Sequence, residues 1–262
     1  MNVGKIKFKE DLKQTILQAV DLIGGFREFV KAGEIVFLKP NFNTSDPFPA
    51  STDPFFLRAV VELVYEFGAH SVIIGDSSTM AANTRQVMEK LGIFDLLKMK
   101  NPPQIFPFEE RNWVEKEIPG GRYLKKVLIP DVLEQVNRLI LLPCLKTHFL
   151  AQFTGALKLS VGFIKPSQRM QLHFRNLQEK IAELNKIINP DLTIMDARKC
   201  FIDHGPTKGE LREPNMILSS RSRIDIDVEG VRIIQGFENN SLANIDPWEI
   251  SQIKYAKEIG IQ

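Results

Sequence analysis

Cysteine is scarce in this chain. Its two cysteines, Cys144 and Cys200, lie far apart and in no CxxC arrangement, which excludes a zinc knuckle and an iron–sulfur ligand set built from this sequence. A free cysteine behaves as a small hydrophobe, so both are expected as half-buried thiols. Long apolar runs are also missing. No window approaches the ~20 apolar residues of a membrane span, and the N-terminus Met1-Asn2-Val3-Gly4-Lys5 lacks the apolar stretch of a signal peptide. Neither sign of charge dominates: 34 basic against 32 acidic residues leave a net charge of +2. The basic residues are scattered, without the continuous stripe that duplex binding needs. The expected setting is cytoplasmic, with no nucleic-acid partner and no membrane. Neither GxxxxGK[ST] nor GxGxxG occurs, which removes the familiar nucleotide-binding loops.

What remains is an ordinary globular composition. At 262 residues, 44% hydrophobic and 25% charged, the chain can bury a substantial core as one domain, and neither disorder nor a fibrous repeat is indicated. Short apolar runs bounded by turn residues alternate with amphipathic stretches, the pattern of βα units around a mainly parallel sheet with helices on both faces. Runs at 34–38, 71–75, 138–142 and 192–195 lead into Lys39-Pro40-Asn41, Asp76-Ser77-Ser78, Pro143 to His148, and Asp196. A fifth run, 216–219, precedes Arg221-Ser222-Arg223. Asp53 and Pro54 fit an N-cap and first helical position, with Leu57, Val60, Val61, Val64 and Phe67 keeping helical spacing up to Gly68. Further helices are expected over 175–188, from Asp225 through Ile234, and over 248–261. Segments 113–118 and 122–129 flank Pro119-Gly120-Gly121, a turn signal that predicts a β-hairpin insertion. The expectation is a single α/β domain over 1–262, with a small lobe or flap at 102–130 and a proline-rich lid loop from Asn41 to Asp53.

Loops leaving the carboxyl ends of parallel strands converge on one edge of a sheet. That edge would collect Lys39, Asn41, Asp76, Ser77, Ser78, Lys146, Thr147, His148 and Asp196. The segment from Lys146 through Thr147, His148 and Thr154 to Lys158 adds ammonium, imidazole and hydroxyl groups beside a helix expected near Gly155, an arrangement that suits a phosphate or carboxylate. His148 is the candidate acid–base residue, since its ordinary pKa lies near the working pH, with Lys146 and Asp76 beside it as catalytic candidates. Lys39, Asn41, Ser77, Thr147, Thr154, Lys158 and Asp196 are the candidate ligand-binding residues. His148, His173 and His204 are candidates to hold a divalent metal, the cofactor such a cluster would favour. Each residue alone is equally compatible with a solvated loop; four strands ending alike favour a shared site.

Taken in order, several pieces resemble the domain of unknown function 362 family. They are Lys39-Pro40-Asn41, Thr52-Asp53-Pro54, the unit from Gly68-Ala69 to Gly75-Asp76-Ser77, Leu145-Lys146-Thr147-His148, and Thr154 to Lys158. His173, Asp196, Gly205-Pro206 and Asp227 complete the set. Family members include this core fused to a ferredoxin module, and this sequence ends without one. The resemblance therefore implies that any iron–sulfur partner is a separate protein. The family is in turn similar to the nickel-dependent lactate racemase group, which implies a site lined by histidine and lysine. Two function classes follow: an enzyme acting on a small anionic metabolite, or a non-catalytic ligand or metallocofactor carrier.

Overall fold

The computed structural model describes residues 2–262. Strands β1 (Val3–Lys7), β2 (Ile35–Lys39), β3 (Ser71–Asp76) and β4 (Gln104–Pro107) alternate with helices α1 (Leu12–Asp21), α2 (Pro54–Glu66) and α3 (Thr84–Lys90). Next come the hairpin strands β5 (Trp113–Glu117) and β6 (Lys126–Pro130), then β7 (Arg138–Leu141), β8 (Cys144–His148) and β9 (Gln152–Thr154). Three helices follow: α4 (Ala156–Leu159), α5 (Pro166–His173) and α6 (Leu177–Leu184). The chain closes with β10 (Leu192–Phe201), β11 (Leu211–Arg212), β12 (Met216–Ser220), α7 (Arg223–Gln235) and α8 (Ser251–Glu258). The main sheet runs β1-β12-β10-β7-β2-β3-β4, with β8 and β11 attached along β10 and β9 paired to β8. From β10 to β4 every pair is parallel; β12 and β1 add an antiparallel edge.

Strand alternation sends neighbouring residues to opposite faces, and both faces are buried. Val36, Leu38, Val72, Ile74, Ile140 and Ile194 meet α1, α2 and α3 through Val20, Phe56, Val60 and Met88. Phe37, Ile73, Leu139, Leu141 and Met195 point the other way, toward α4, α6, α7, α8 and the hairpin. Each fully buried Val, Leu or Phe in these layers contributes roughly 1.5–3 kcal/mol of transfer free energy. Helix α2 starts where its sequence signals: Asp53 accepts a hydrogen bond from the Phe55 N–H at 2.9 Å and Pro54 occupies the first turn.

The hairpin forms, with a longer turn than Pro119-Gly120-Gly121 alone. Ile118, Val127 and Ile129 sit in the core under the sheet, and none of its residues lines the cavity described below. It serves as a cover for one sheet face and as a buttress. The Leu128 N–H donates to Gln168 Oε1 at 2.7 Å, and the Lys165 N–H donates to the Leu128 carbonyl at 3.0 Å, fixing the start of α5. The turn of the hairpin wraps a buried carboxylate: Glu183 on α6 accepts from the N–H groups of Arg122, Tyr123 and Leu124 at 2.6–2.9 Å. Helix α6 is shorter than its apolar spacing predicts, because Asn176 before it is left-handed (φ 53°) and Asn185 ends it.

Candidate functional site

A cavity of about 380 Å³ opens at the carboxyl edge of β2, β3 and β8. Of the residues singled out by sequence, Lys39, Asn41, Asp76, Ser77, Lys146, His148, Thr154, Lys158 and His173 line it. Four do not: Ser78, whose hydroxyl donates to the Phe42 carbonyl at 2.5 Å, Thr147, Asp196 and His204.

Local geometry explains this division. On β8 the period of two puts Lys146 and His148 on the cavity side and turns Thr147 away, where its Oγ1 accepts from the Gly205 N–H at 3.2 Å. Thr154 on β9 lies directly across from Lys146 and so shares its side; its hydroxyl is buried and has no hydrogen-bond partner. Asp196 was expected at a strand end, but β10 continues five residues beyond it to Phe201. Its carboxylate instead takes the Arg198 guanidinium at 2.7 Å, and Arg198 reaches on to Asp53 at 2.5 Å, tying β10 to the start of α2. His204 stands 82% exposed and pairs with Asp203.

Lys39 is fully enclosed. Its ammonium contacts Asp76 Oδ1 at 2.6 Å and donates to the Pro40 carbonyl at 2.7 Å. Burial lowers its pKa, and the Asp76 carboxylate opposes that shift. Asp76 also accepts from the N–H groups of Phe42 at 2.6 Å and Ser77 at 2.7 Å. The pair presses against Gly162, where a Cβ would fall 2.6 Å from Lys39 Nζ and 2.7 Å from Asp76 Oδ1. Asp76 thus anchors Lys39 in place, with both of its oxygens engaged. Ser77 is engaged as well, donating to Glu109 at 2.8 Å.

The other cations form no ion pair among the described residues. Lys146 donates to the carbonyls of Pro49 and Ala50, which pins the proline-rich loop onto the site. Arg169 donates to the carbonyls of Ile164, Gly162 and Ser78 at 2.5–3.1 Å. Lys158 makes no hydrogen bond and no ion pair among the described residues, and it faces the cavity. Burial, with Lys146 and Arg169 nearby, pushes its pKa down to about 8. Arg169 was missed by the sequence reading because α5 is mostly polar and shows no apolar stripe, with only Leu172 reaching the core; Pro166 at its first turn was the available signal.

The two cavity histidines have opposite tautomers. His148 Nδ1 accepts from the N–H groups of Leu150 at 3.1 Å and Ala151 at 3.2 Å, so the ring proton must sit on Nε2. Burial and the nearby Lys158 push its pKa down to about 2. This revises the acid–base role expected for His148: the ring is a fixed neutral donor. His173 Nδ1 lies 2.7 Å from the Arg169 carbonyl, an atom that only accepts, so Nδ1 carries the proton and Nε2 keeps its lone pair. The three-histidine metal cluster does not form. His204 lies elsewhere, His148 has no free lone pair, and no group of three His, Cys, Asp or Glu side chains suited to a metal ion occurs among the described residues.

The helix start at Gly155, expected to receive a ligand anion, is also taken. Buried Asp227 on α7 accepts from the N–H groups of Ala156 at 2.6 Å and Leu157 at 3.0 Å, capping α4 from across the core. Its pKa is pushed up to about 7 by burial. Both cysteines are free and buried, and burial raises each thiol pKa, to about 11 for Cys144 and about 12 for Cys200. No helix among the described residues is long and apolar enough to cross a membrane.

The chain is 27% identical over 254 residues to a thylakoid-associated protein of Synechocystis sp., covering 91% of this chain and 72% of that one. Among solved structures, the lactate racemase apoprotein from Thermoanaerobacterium thermosaccharolyticum aligns with a TM-score of 0.55 at 15% identity. The alignment covers 87% of this chain and 56% of the racemase, a likeness of fold. Residues 36–232 match the profile of the domain of unknown function DUF362, and the chain belongs to that family.

Proposed function

We propose that the cavity binds a small anionic metabolite and that the chain acts on it as an enzyme. The observation that carries this reading is Lys158, a half-buried lysine facing the cavity near Lys146 and Arg169, none of the three forming an ion pair among the described residues. A buried charge without an ion-pair partner costs several kcal/mol, so buried Lys146 and Arg169, with Lys158 at the cavity wall beside them, favour an anion that arrives from outside. At about 380 Å³ the cavity falls within the small-metabolite range. The lone pair of His173 Nε2 and the Nε2–H of His148 supply a proton acceptor and a fixed donor at the same wall. No divalent metal site fits the donor set, so the role assigned to the ion-binding residues is direct recognition.

Calorimetric titration with lactate, malate, citrate and inorganic phosphate tests this. At least one should bind, and Lys158→Met should weaken it about tenfold, the loss of one charge-assisted contact worth roughly 1.4 kcal/mol. Indifference to every anion, or equal binding by Lys158→Met, would overturn the reading.

A second reading is a carrier that presents the bound anion to another protein, with a separate iron–sulfur protein as the partner the family resemblance suggests. It is favoured by the apolar rim of the mouth, where Phe149 is 76% exposed, with Leu150 and Met80 also exposed. Such patches mark interaction surfaces. NMR of the bound anion separates the readings: an enzyme changes its spectrum over time, a carrier returns it unaltered.

A further inference from the structure

Lysines elsewhere in this neighbourhood are engaged. Lys39 has Asp76, Lys146 has two carbonyls of the proline-rich loop, and Lys180 donates to the carbonyls of Gln171 and Phe174. Lys158 stands apart, with its amine toward the cavity and no partner. A lysine that only neutralised a bound anion would gain from staying solvated and fully charged. Enclosing it beside two other cations does the reverse, favouring the free amine, which is the nucleophilic form. The surrounding donors favour a carboxylate over a phosphate. The backbone N–H groups at the start of α4, where a phosphate would otherwise nest, are held by Asp227.

We propose that Lys158 forms an imine with the carbonyl carbon of a small 2-oxo acid whose carboxylate lies against Lys146 and Arg169. This rests on the anion-binding reading above and names its substrate class. After Lys158 gives up one proton to the bare Nε2 of His173, its lone pair forms the C–N bond while the carbonyl pair moves onto oxygen. That oxygen, steadied by the His148 Nε2–H, collects two protons and leaves as water, one directly from the nitrogen and one returned by His173. The net change is an ammonium and a carbonyl converted to a protonated imine and one water, with charge conserved and no oxidant or reductant required. The cost of burying Lys158 as a cation is then partly answered by a covalent product that keeps its positive charge beside the substrate carboxylate.

The depressed pKa of Lys158, about 8, gives it on the order of a hundredfold more free amine near neutral pH than an exposed lysine holds. The test is to incubate the full chain with glyoxylate, pyruvate or 2-oxoglutarate in the presence of cyanoborohydride, which reduces imines in place. Peptide mapping then locates the adduct, the mass of one oxo acid less one oxygen. The expected result is a single dominant adduct on Lys158 with at least one of the three acids, slowed by excess of the matching 2-hydroxy acid. Lys158→Arg keeps the charge and removes the amine, so it should still bind the 2-hydroxy acid within a few-fold and show no dominant adduct. Adducts spread evenly over surface lysines, while the 2-hydroxy acid still binds, would sink the imine and leave the anion site standing. Failure of the 2-hydroxy acids and of every other small anion to bind would remove both.

Discussion

Two regions of this molecule bury charge, and they handle it in opposite ways. Around α6 the Glu183 carboxylate sits in the hairpin turn with three backbone N–H donors and the Tyr255 hydroxyl at 3.1 Å, and Asp227 meets two more N–H groups across the core. Each buried anion there is answered from within the fold. At the cavity, Lys39 alone has a carboxylate; Lys146 and Arg169 have only carbonyls, and Lys158 has nothing. A fold that encloses Glu183 so completely can satisfy a buried charge, and the contrast with the cavity cations is what the proposed anion site rests on.

The sharpest break in this comparison is Glu183→Ala. Three N–H groups of the hairpin turn lose their acceptor at once, and each costs up to about 1–3 kcal/mol when left unsatisfied. With some of them regaining water at the exposed Arg122, the expected destabilisation is about 3 kcal/mol, read as a lower denaturant midpoint. Since the hairpin supports α5 through Gln168 and Leu128, Arg169 should loosen as well, visible as faster amide exchange along α5. An unchanged midpoint would show that the carboxylate only occupies the turn and does not hold it.

The sequence revealed much of this cavity and little of how its charges are answered. Period-two apolar runs ending in Lys39, Asp76 and Lys146 were enough to place those residues on one edge, because parallel strands share a direction and their ends converge. Thr147 and Asp196 were misplaced for related reasons. A run of polar residues after a strand looks like a loop, yet here β8 and the second half of β10 continue as strands. Alternation then turns Thr147 away, and strand length carries Asp196 off the edge. Long-range side-chain pairing was hidden: nothing local tells that Asp227 caps a helix 71 residues earlier or that Arg169, on a mostly polar helix, folds into the site.

Removing the unanswered cation should have the opposite sign. Lys158 has a folded pKa of about 8 against an ordinary 10.5, so between those values the unfolded chain binds more protons and stability rises with pH. Below about pH 8 both states are protonated and the full penalty applies. Lys158→Met should therefore stabilise the ligand-free protein at pH 7, on the order of 2 kcal/mol after allowance for its partial contact with cavity water, and should flatten the rise between pH 8 and 10.5. Urea denaturation at pH 7 and 10 measures both. A variant less stable than the parent at pH 7 would mean that Lys158 has an internal partner after all.

The smallest expected effect is an absence of change at His148. Burial, with Lys158, His173 and Lys146 nearby, pushes the His148 pKa down to about 2, and protonation at Nδ1 would also break both backbone N–H bonds. Nitrogen-15 NMR of the imidazoles should show the Nε2–H tautomer at His148, with shifts flat from pH 4 to pH 8, the range in which a histidine near its ordinary pKa titrates. His148→Asn can keep the Nδ1 acceptor as its Oδ1 while losing the Nε2–H, so it should preserve the turn at Leu150 and Ala151 and lower anion affinity only a few-fold, about 1 kcal/mol. If His148 instead titrates in that window and anion affinity follows it, its charge belongs to the binding cluster and the neutral-donor role assigned to it is wrong.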